Sequence, residues 1–338
     1  MPYCQKHPTD KSIQIRKVLT GMIKFHEHNQ IDFEKWDKCI ENSLNGIIYP
    51  FSAYLNRVSP GWAALIEGDY SSVMPLPVKK KLGFSYIIQP LFVQQLGIFS
   101  PHPVNESTVK SFIRHIPKHF IYINYNFNTF NTPGTMSGFE FRRNSTYELD
   151  LIQPYPQLYA AYSTNTKRNI LKSKKNKVFV TNNSDPSPII EAFRQNRGQK
   201  IKHLKDHHYN ILCQIVNIGI TKGFATNYSA YSAENNFCAG AIFLYSHNKS
   251  ILFFTGATNE ARQNGAMFAI IDSFIRTNAQ SNRILDFEGS NDANLAKFYA
   301  GFGSKECVYL QAISNRLPNL LKIPTNIYLS CRNWLAGY

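Results

Sequence analysis

The stretch ILDFEGSNDANLAKFYAGFG, residues 284–303, brings two carboxylates, Asp286 and Glu288, to the end of a short apolar run and sets Tyr299 among the apolar residues of the next segment. A carboxylate at a strand end can take a proton from an attacking nucleophile. A primary amine needs such a group, because its pKa of about 10.4 leaves almost none of it neutral at pH 7. Alternation along Asp286-Phe287-Glu288 predicts both acids on one side, where repulsion would raise one pKa toward neutrality and suit Glu288 as the base. Tyr299, with a hydroxyl of pKa about 10, can donate a hydrogen bond or a proton to a leaving group. The same residues admit a structural arrangement: Asp286 paired with Arg262 or Arg283, Glu288 in water, and Tyr299 packed beside Leu295, Phe298 and Phe302.

A second constellation precedes these residues. Arg262-Gln263-Asn264-Gly265-Ala266 leaves the apolar run ILFFTGA and enters AMFAIIDSFIRTNA, where Met267, Ile270, Ile271 and Phe274 recur at helical spacing. Unpaired N–H groups and a positive helix end would meet there beside a glycine, which is the arrangement of an anion cradle. Any polar loop before a helix offers the same groups.

Positioning these residues requires strands and helices in a definite order. Ile31, Phe33, Trp36, Cys39, Ile40 and Leu44 predict a first helix, with Asp32 near its start. GWAALIEGDYSSVMPLPV reads as a hairpin and FSYIIQPLFV as a strand; QQLGIFSPHPVNES is a loop, STVKSFIRHIPKHF a helix and IYINYNF a strand. The second half repeats the order: a hairpin at FCAGAIFLYSHNKSILFFTGA, a polar loop, a helix and the strand ILDF. Between them, YPQLYAAYSTNTKRNILKSKKNKVFV predicts a helix with a basic end followed by a strand, NSDPSP a loop, and residues 206–222 another helix. The shared layout predicts two α/β units, 22–150 and 151–338, behind an N-terminal extension 1–21, in preference to one large sheet.

Composition bounds the function. The 338 residues exceed one ordinary domain, and 37 basic side chains against 22 acidic ones give a net charge of +15. Eleven of the basic residues fall between 167 and 205, against Asp185 and Glu191 alone. That stretch faces water, a phosphate-bearing ligand, tRNA or an anionic membrane surface. No apolar run approaches the roughly 18 residues of a membrane span, and the N-terminus lacks an apolar signal core, so a cytoplasmic protein is expected. The six cysteines form no CxxC pair, and His203, His207 and His208 lack an acid-flanked metal pattern, so neither disulfides nor a metal site is expected. No GxSxG motif offers a serine nucleophile.

The strand, the Arg262-to-Gly265 loop, the amphipathic helix, ILDF and the helix bearing Tyr299 four residues before Gly303 together resemble the acyl-coenzyme A core of the GNAT N-acyltransferases. Asp292, flanked by Asn291 and Asn294, stands where that family has an asparagine, and Ser304 replaces its phenylalanine. The two-unit layout, the YSTNTKRNILKSKKNKVFV join and the DFEGSND…FYAGFG ending are similar to the tandem-GNAT proteins of the FemAB-like superfamily. The resemblance implies two GNAT-like units, each a mixed, mostly antiparallel sheet flanked by helices, the first a degenerate substrate wall and the second a donor site. It implies direct N-acyl transfer from acyl-coenzyme A to a small-molecule or peptide amine, with Glu288 and Tyr299 catalytic and Arg262, Gln263, Asn264, Gly265, Ala266 and Asn291 holding the donor. Aminoacyl-tRNA as donor, and a non-catalytic binding module on the same scaffold, are the alternatives. In the first unit Gln94-Gln95-Leu96-Gly97 takes the place of the donor loop, and Tyr54 and Trp62 line the wall or pack in the core.

Overall fold

The computed structural model describes residues 21–317 apart from 82, 184, 202, 203 and 290. All of the N-terminal extension 1–21 except Gly21, together with His203, therefore lies outside the described residues. Strand β1 (Ile23–His26) pairs antiparallel with β2 (Ala63–Glu67), which pairs with β3 (Ser72–Leu76). Helix α1 (Phe33–Glu41) begins where Asp32 accepts from the N–H groups of Glu34 and Lys35, and it buries Trp36, Cys39 and Ile40. A short helix α2 (Ser52–Val58) follows.

The rest of the chain builds one ten-stranded sheet. From the first half come β4 (Val78–Lys81), β5 (Phe84–Ile88), β6 (Phe120–Asn126) and β7 (Glu140–Asp150), with α3 (Glu106–Arg114) between β5 and β6. The predicted joining helix is split: α4 (Tyr155–Ala160) stops, and α5 (Thr164–Lys175) restarts where the Ser163 hydroxyl accepts from Thr166 N–H. Then follow β8 (Phe179–Asn183), α6 (Ser187–Gln195), α7 (Asp206–Thr221), β9 (Ala225–Tyr231), β10 (Phe237–Ser246), β11 (Lys249–Ala257), α8 (Ala261–Asn264), α9 (Ala266–Asn278), β12 (Ile284–Asp286), α10 (Ala293–Ala300) and β13 (Lys305–Asn315).

The strand order is β4-β5-β6-β13-β7-β12-β11-β10-β9-β8, and the pairs are antiparallel except β5 with β6 and β11 with β12. Each half thus contributes a parallel pair, and the strands that follow them are exchanged. β7 follows β6 in the chain but pairs with β12, whereas β13 follows β12 but pairs with β6, and the two exchanged strands pair with each other. The strands of both halves thus lie in one continuous ten-stranded sheet, joined through the exchanged strands rather than lying in separate sheets.

The segment around Gln94-Gln95-Leu96-Gly97 has no regular secondary structure, like the loop expected there. Bridges from Val73 to Phe99 and from Leu96 to Phe127 make it a stitch between the three-stranded and ten-stranded sheets. In the core of the first half Trp36 and Trp62 meet with ring centroids 4.6 Å apart, and Trp62 is a core residue rather than part of a wall. Beneath α9, Phe243 and Phe274 stack at 3.7 Å. On the opposite face α6 lies so close that a Cβ on Gly256 would stand 1.8 Å from the Ile189 carbonyl.

Candidate functional site

β12 delivers the two acids to different surroundings. Asp286 ends the strand buried, with Oδ2 3.0 Å from Lys249 Nζ and Oδ1 accepting from the Thr146 hydroxyl at 2.5 Å. Lys249 also meets Glu148 at 2.6 Å, on the strand beside β12. Asp286 is therefore a structural acid, and its cation is Lys249 rather than Arg262 or Arg283.

Glu288 lies beyond the strand, so alternation no longer sets its direction. Its φ is +50° and that of Gly289 is +54°, two successive left-handed residues that turn the chain sharply. Its N–H donates to Asp286 Oδ1 at 3.1 Å, which holds the turn. The carboxylate then points at the first half of the chain, where the Tyr49 hydroxyl donates to Oε1 at 2.5 Å. Tyr54 packs on Tyr49 with ring centroids 5.4 Å apart and donates to the Phe92 carbonyl. Tyr49, Tyr54, Tyr299 and Tyr309 are all buried.

That setting pushes the Glu288 carboxyl up to about 8. Burial is the larger cause and the Asp286 charge the second; the Tyr49 hydrogen bond and Lys249 act the other way. The expected repulsion between the acids is present, but as the lesser contribution. Burial and the Glu288 charge hold the hydroxyls of Tyr49 and Tyr54 in their neutral form, and burial followed by Glu288 does the same for Tyr309.

Tyr299 stands on α10 with its ring stacked on Phe287 at 4.9 Å, part of the apolar face that the structural arrangement anticipates. Its hydroxyl still feels the site: burial and Glu288 raise its pKa while Arg197 lowers it. Tyr49 and Tyr309 carry no pattern in the sequence that marks them, because Tyr49 reaches Glu288 only through the contact between halves and Tyr309 only through the placement of β13 in the sheet.

The turn at Gly265 is closed. Gly265 has φ +78°, and a Cβ there would stand 2.6 Å from the Asn169 carbonyl on α5. Asn264, Gly265 and Ala266 are buried; the Asn264 Oδ1 accepts from the Ala266 N–H at 3.0 Å, and its Nδ2 meets Cys238 Sγ. Arg262 and Gln263 are exposed. Asn291 is turned onto β7, where it accepts from Ser145 N–H at 3.0 Å. As arranged, these residues do not fit a pyrophosphate: Gly265 and Ala266 are buried, and the Ala266 N–H is already taken by the Asn264 side chain.

α5 itself carries the basic stretch outward. Arg168, Lys172, Lys174 and Lys175 are exposed on it, with Lys177 just beyond its end. Among the described residues no cluster of His, Cys, Asp and Glu has the makings of a metal site, and no helix is long and apolar enough to cross a membrane.

No protein-family model and no curated protein sequence matches the chain. Solved structures do. The chain is similar to FemX at 13% identity, with 86% of this chain and 97% of that one covered and a TM-score of 0.59. It is similar to L-PGS from Bacillus licheniformis at 10% identity, covering 88% and 95% with a TM-score of 0.52. The C-terminal domain of a putative lysylphosphatidylglycerol synthetase from Agrobacterium fabrum matches at 9% identity, 84% and 91% coverage and a TM-score of 0.50. At these identities the likeness is one of fold, and the fold of this chain is that of the FemAB-like, GNAT-type acyltransferases.

Proposed function

We propose that the protein is an acyltransferase that moves an aminoacyl group from aminoacyl-tRNA to a primary amine in one displacement, with Glu288 as proton acceptor. The observation that carries this reading is the Glu288 carboxyl, half-buried where it meets Tyr49 of the first half, with its pKa raised to about 8. The amine nitrogen attacks the ester carbonyl carbon, the N–C bond forms, and the C–O bond to the tRNA ribose breaks. Glu288 takes the proton the nitrogen sheds. A base of pKa about 8 stands roughly two units below an alkylammonium, whereas an ordinary carboxylate stands about six below, so the transfer is far less uphill. Tyr299 supplies a hydrogen bond to the departing ribose oxygen, which takes that proton on from the Glu288 carboxyl, leaves as the hydroxyl and restores the carboxylate.

The donor follows from two features. The burial of Asn264, Gly265 and Ala266 against α5 favours a donor other than acyl-coenzyme A. The exposed cations of α5 suit a polyphosphate such as tRNA, whose binding they would make steeply salt-dependent. The fold shared with FemX and L-PGS supports acyl transfer as the reaction class.

A mobility-shift series with bulk tRNA, run beside a transfer assay with labelled aminoacyl-tRNA and a panel of primary amines, tests the reading. Wild type should bind tRNA at low salt and label an amine; Glu288→Gln should bind equally and label none. Absence of tRNA binding at low salt would remove the donor, and binding without transfer to any amine would favour the non-catalytic module.

A further inference from the structure

A cavity of about 630 Å³ lies between the end of α3, the loop from β6 to β7 and the end of β13. Ile116, Met136 and Phe139 give it an apolar lining, and Arg114, Lys118 and Arg316 add three positive charges. No acidic side chain lines it among the described residues. The acids that begin the neighbouring elements, Glu106 of α3 and Glu140 of β7, are spent on Lys110 and Arg142.

Arg316 is the cation whose place is fixed. Its main-chain N–H donates to the Ile121 carbonyl at 2.8 Å, which extends the pairing of β13 with β6. Its Nη1 donates to the Pro117 carbonyl at 3.0 Å and the Phe120 carbonyl at 3.4 Å, and the guanidinium lies 6.0 Å from the centre of the Phe139 ring. Main chain thus anchors one end of the fork, while Nε and Nη2 keep no hydrogen-bond partner among the described residues. The group is half-buried, and burial alone lowers its pKa, with no acid acting against it. A guanidinium drawn partly out of water without a counter-charge is costly, and a carboxylate offsets that cost, because its two oxygens match two N–H groups along the free edge.

We infer that this cavity binds a small apolar carboxylate, its head on Arg316 and its body against Ile116, Met136 and Phe139. Its volume lies in the usual range for a small-molecule site and leaves room for far more than a bare anion. The site is separate from the one at Glu288. Tyr309, beside Glu288, and Arg316 stand roughly 20 Å apart along the line of β13 at about 3.4 Å per residue, so binding here does not depend on transfer there.

Calorimetric titration of the full chain with octanoate, 1-octanol, acetate and octyl phosphate tests this. Octanoate should bind roughly tenfold or more tightly than 1-octanol, which lacks the charge, and than acetate, which lacks the chain. Arg316→Gln should bring octanoate down to the affinity of 1-octanol. Met136→Glu, which sets an acid in the cavity from a half-buried loop position, should do the same while leaving the anchor of Arg316 in place, and a thermal melt of each variant checks its fold. Glu288→Gln should bind octanoate as wild type does. Equal affinity for octanoate and 1-octanol, undiminished octanoate binding in either folded cavity variant, tighter binding of octyl phosphate than of octanoate, or loss of octanoate binding in Glu288→Gln would overturn the site.

Discussion

The Tyr49 hydroxyl donates to Glu288 Oε1 at 2.5 Å across 239 positions of sequence. That one bond joins a residue just before α2 to a residue just after β12, so the surroundings of the candidate base are supplied by both halves of the chain. The raised carboxyl is thus a property of the assembled fold and should report on its integrity.

The first consequence concerns pH and stability. The Glu288 carboxyl sits at about 8 in the folded chain and near 4.5 otherwise. Between those values the unfolded chain is ionised while the folded one keeps its proton, so native stability falls as pH rises through that window and levels off above it. Glu288→Gln should remove this decline and gain up to about 4 kcal/mol over wild type at pH 8 relative to pH 4.5, read by urea denaturation at both pH values. Parallel pH dependence of the two proteins would contradict the assigned shift.

Turnover should follow the same group. In wild type the rate should climb through pH 8 as Glu288 ionises. Tyr49→Phe removes a hydrogen bond that favours the ionised form, so the climb should move upward by roughly one pH unit. A pH–rate profile that stays in place would separate Tyr49 from the base.

Lys249 neutralises two acids at once, Glu148 at 2.6 Å and Asp286 at 3.0 Å, in a setting where Asp286 is only 3% exposed. Lys249→Met leaves both without their cation. The expected loss is about 3–5 kcal/mol, measured as a shift in the denaturation midpoint at pH 7. A smaller loss when Asp286→Asn is already present would identify the charges as the cause.

Gly256 tests the packing of α6 on the sheet. With the Ile189 carbonyl 1.8 Å from where its Cβ would go, Gly256→Ala must displace helix backbone. It should cost about 2 kcal/mol or more in thermal or chemical denaturation. Gly61, where nothing lies within 4 Å of an added Cβ but φ is +75°, provides the comparison, with a cost of about 1 kcal/mol from backbone strain alone.

The sequence by itself determined the local elements whose periodicity is strong: α1 with its Asp32 cap, the β2–β3 hairpin, α3, β6, the β10–β11 hairpin and α9. It also pointed to Glu288, because an acid just past an apolar run leaves a buried strand at a place where water and protein meet. β7, β9 and β13 carried weaker signals, since EFRRNSTYELD, ATNYSAY and KECVYLQAISN mix polar residues into strands whose place is set by pairing with their neighbours. Tertiary structure alone decided that β7 and β13 change places, that Lys249 is the partner of Asp286, that α5 covers Gly265, and that Tyr49 and Tyr309 surround Glu288. The reason is physical. Periodicity records which face of an element is apolar, but it does not record which distant element will cover that face, and the environment of every candidate side chain here is set by such long-range pairings.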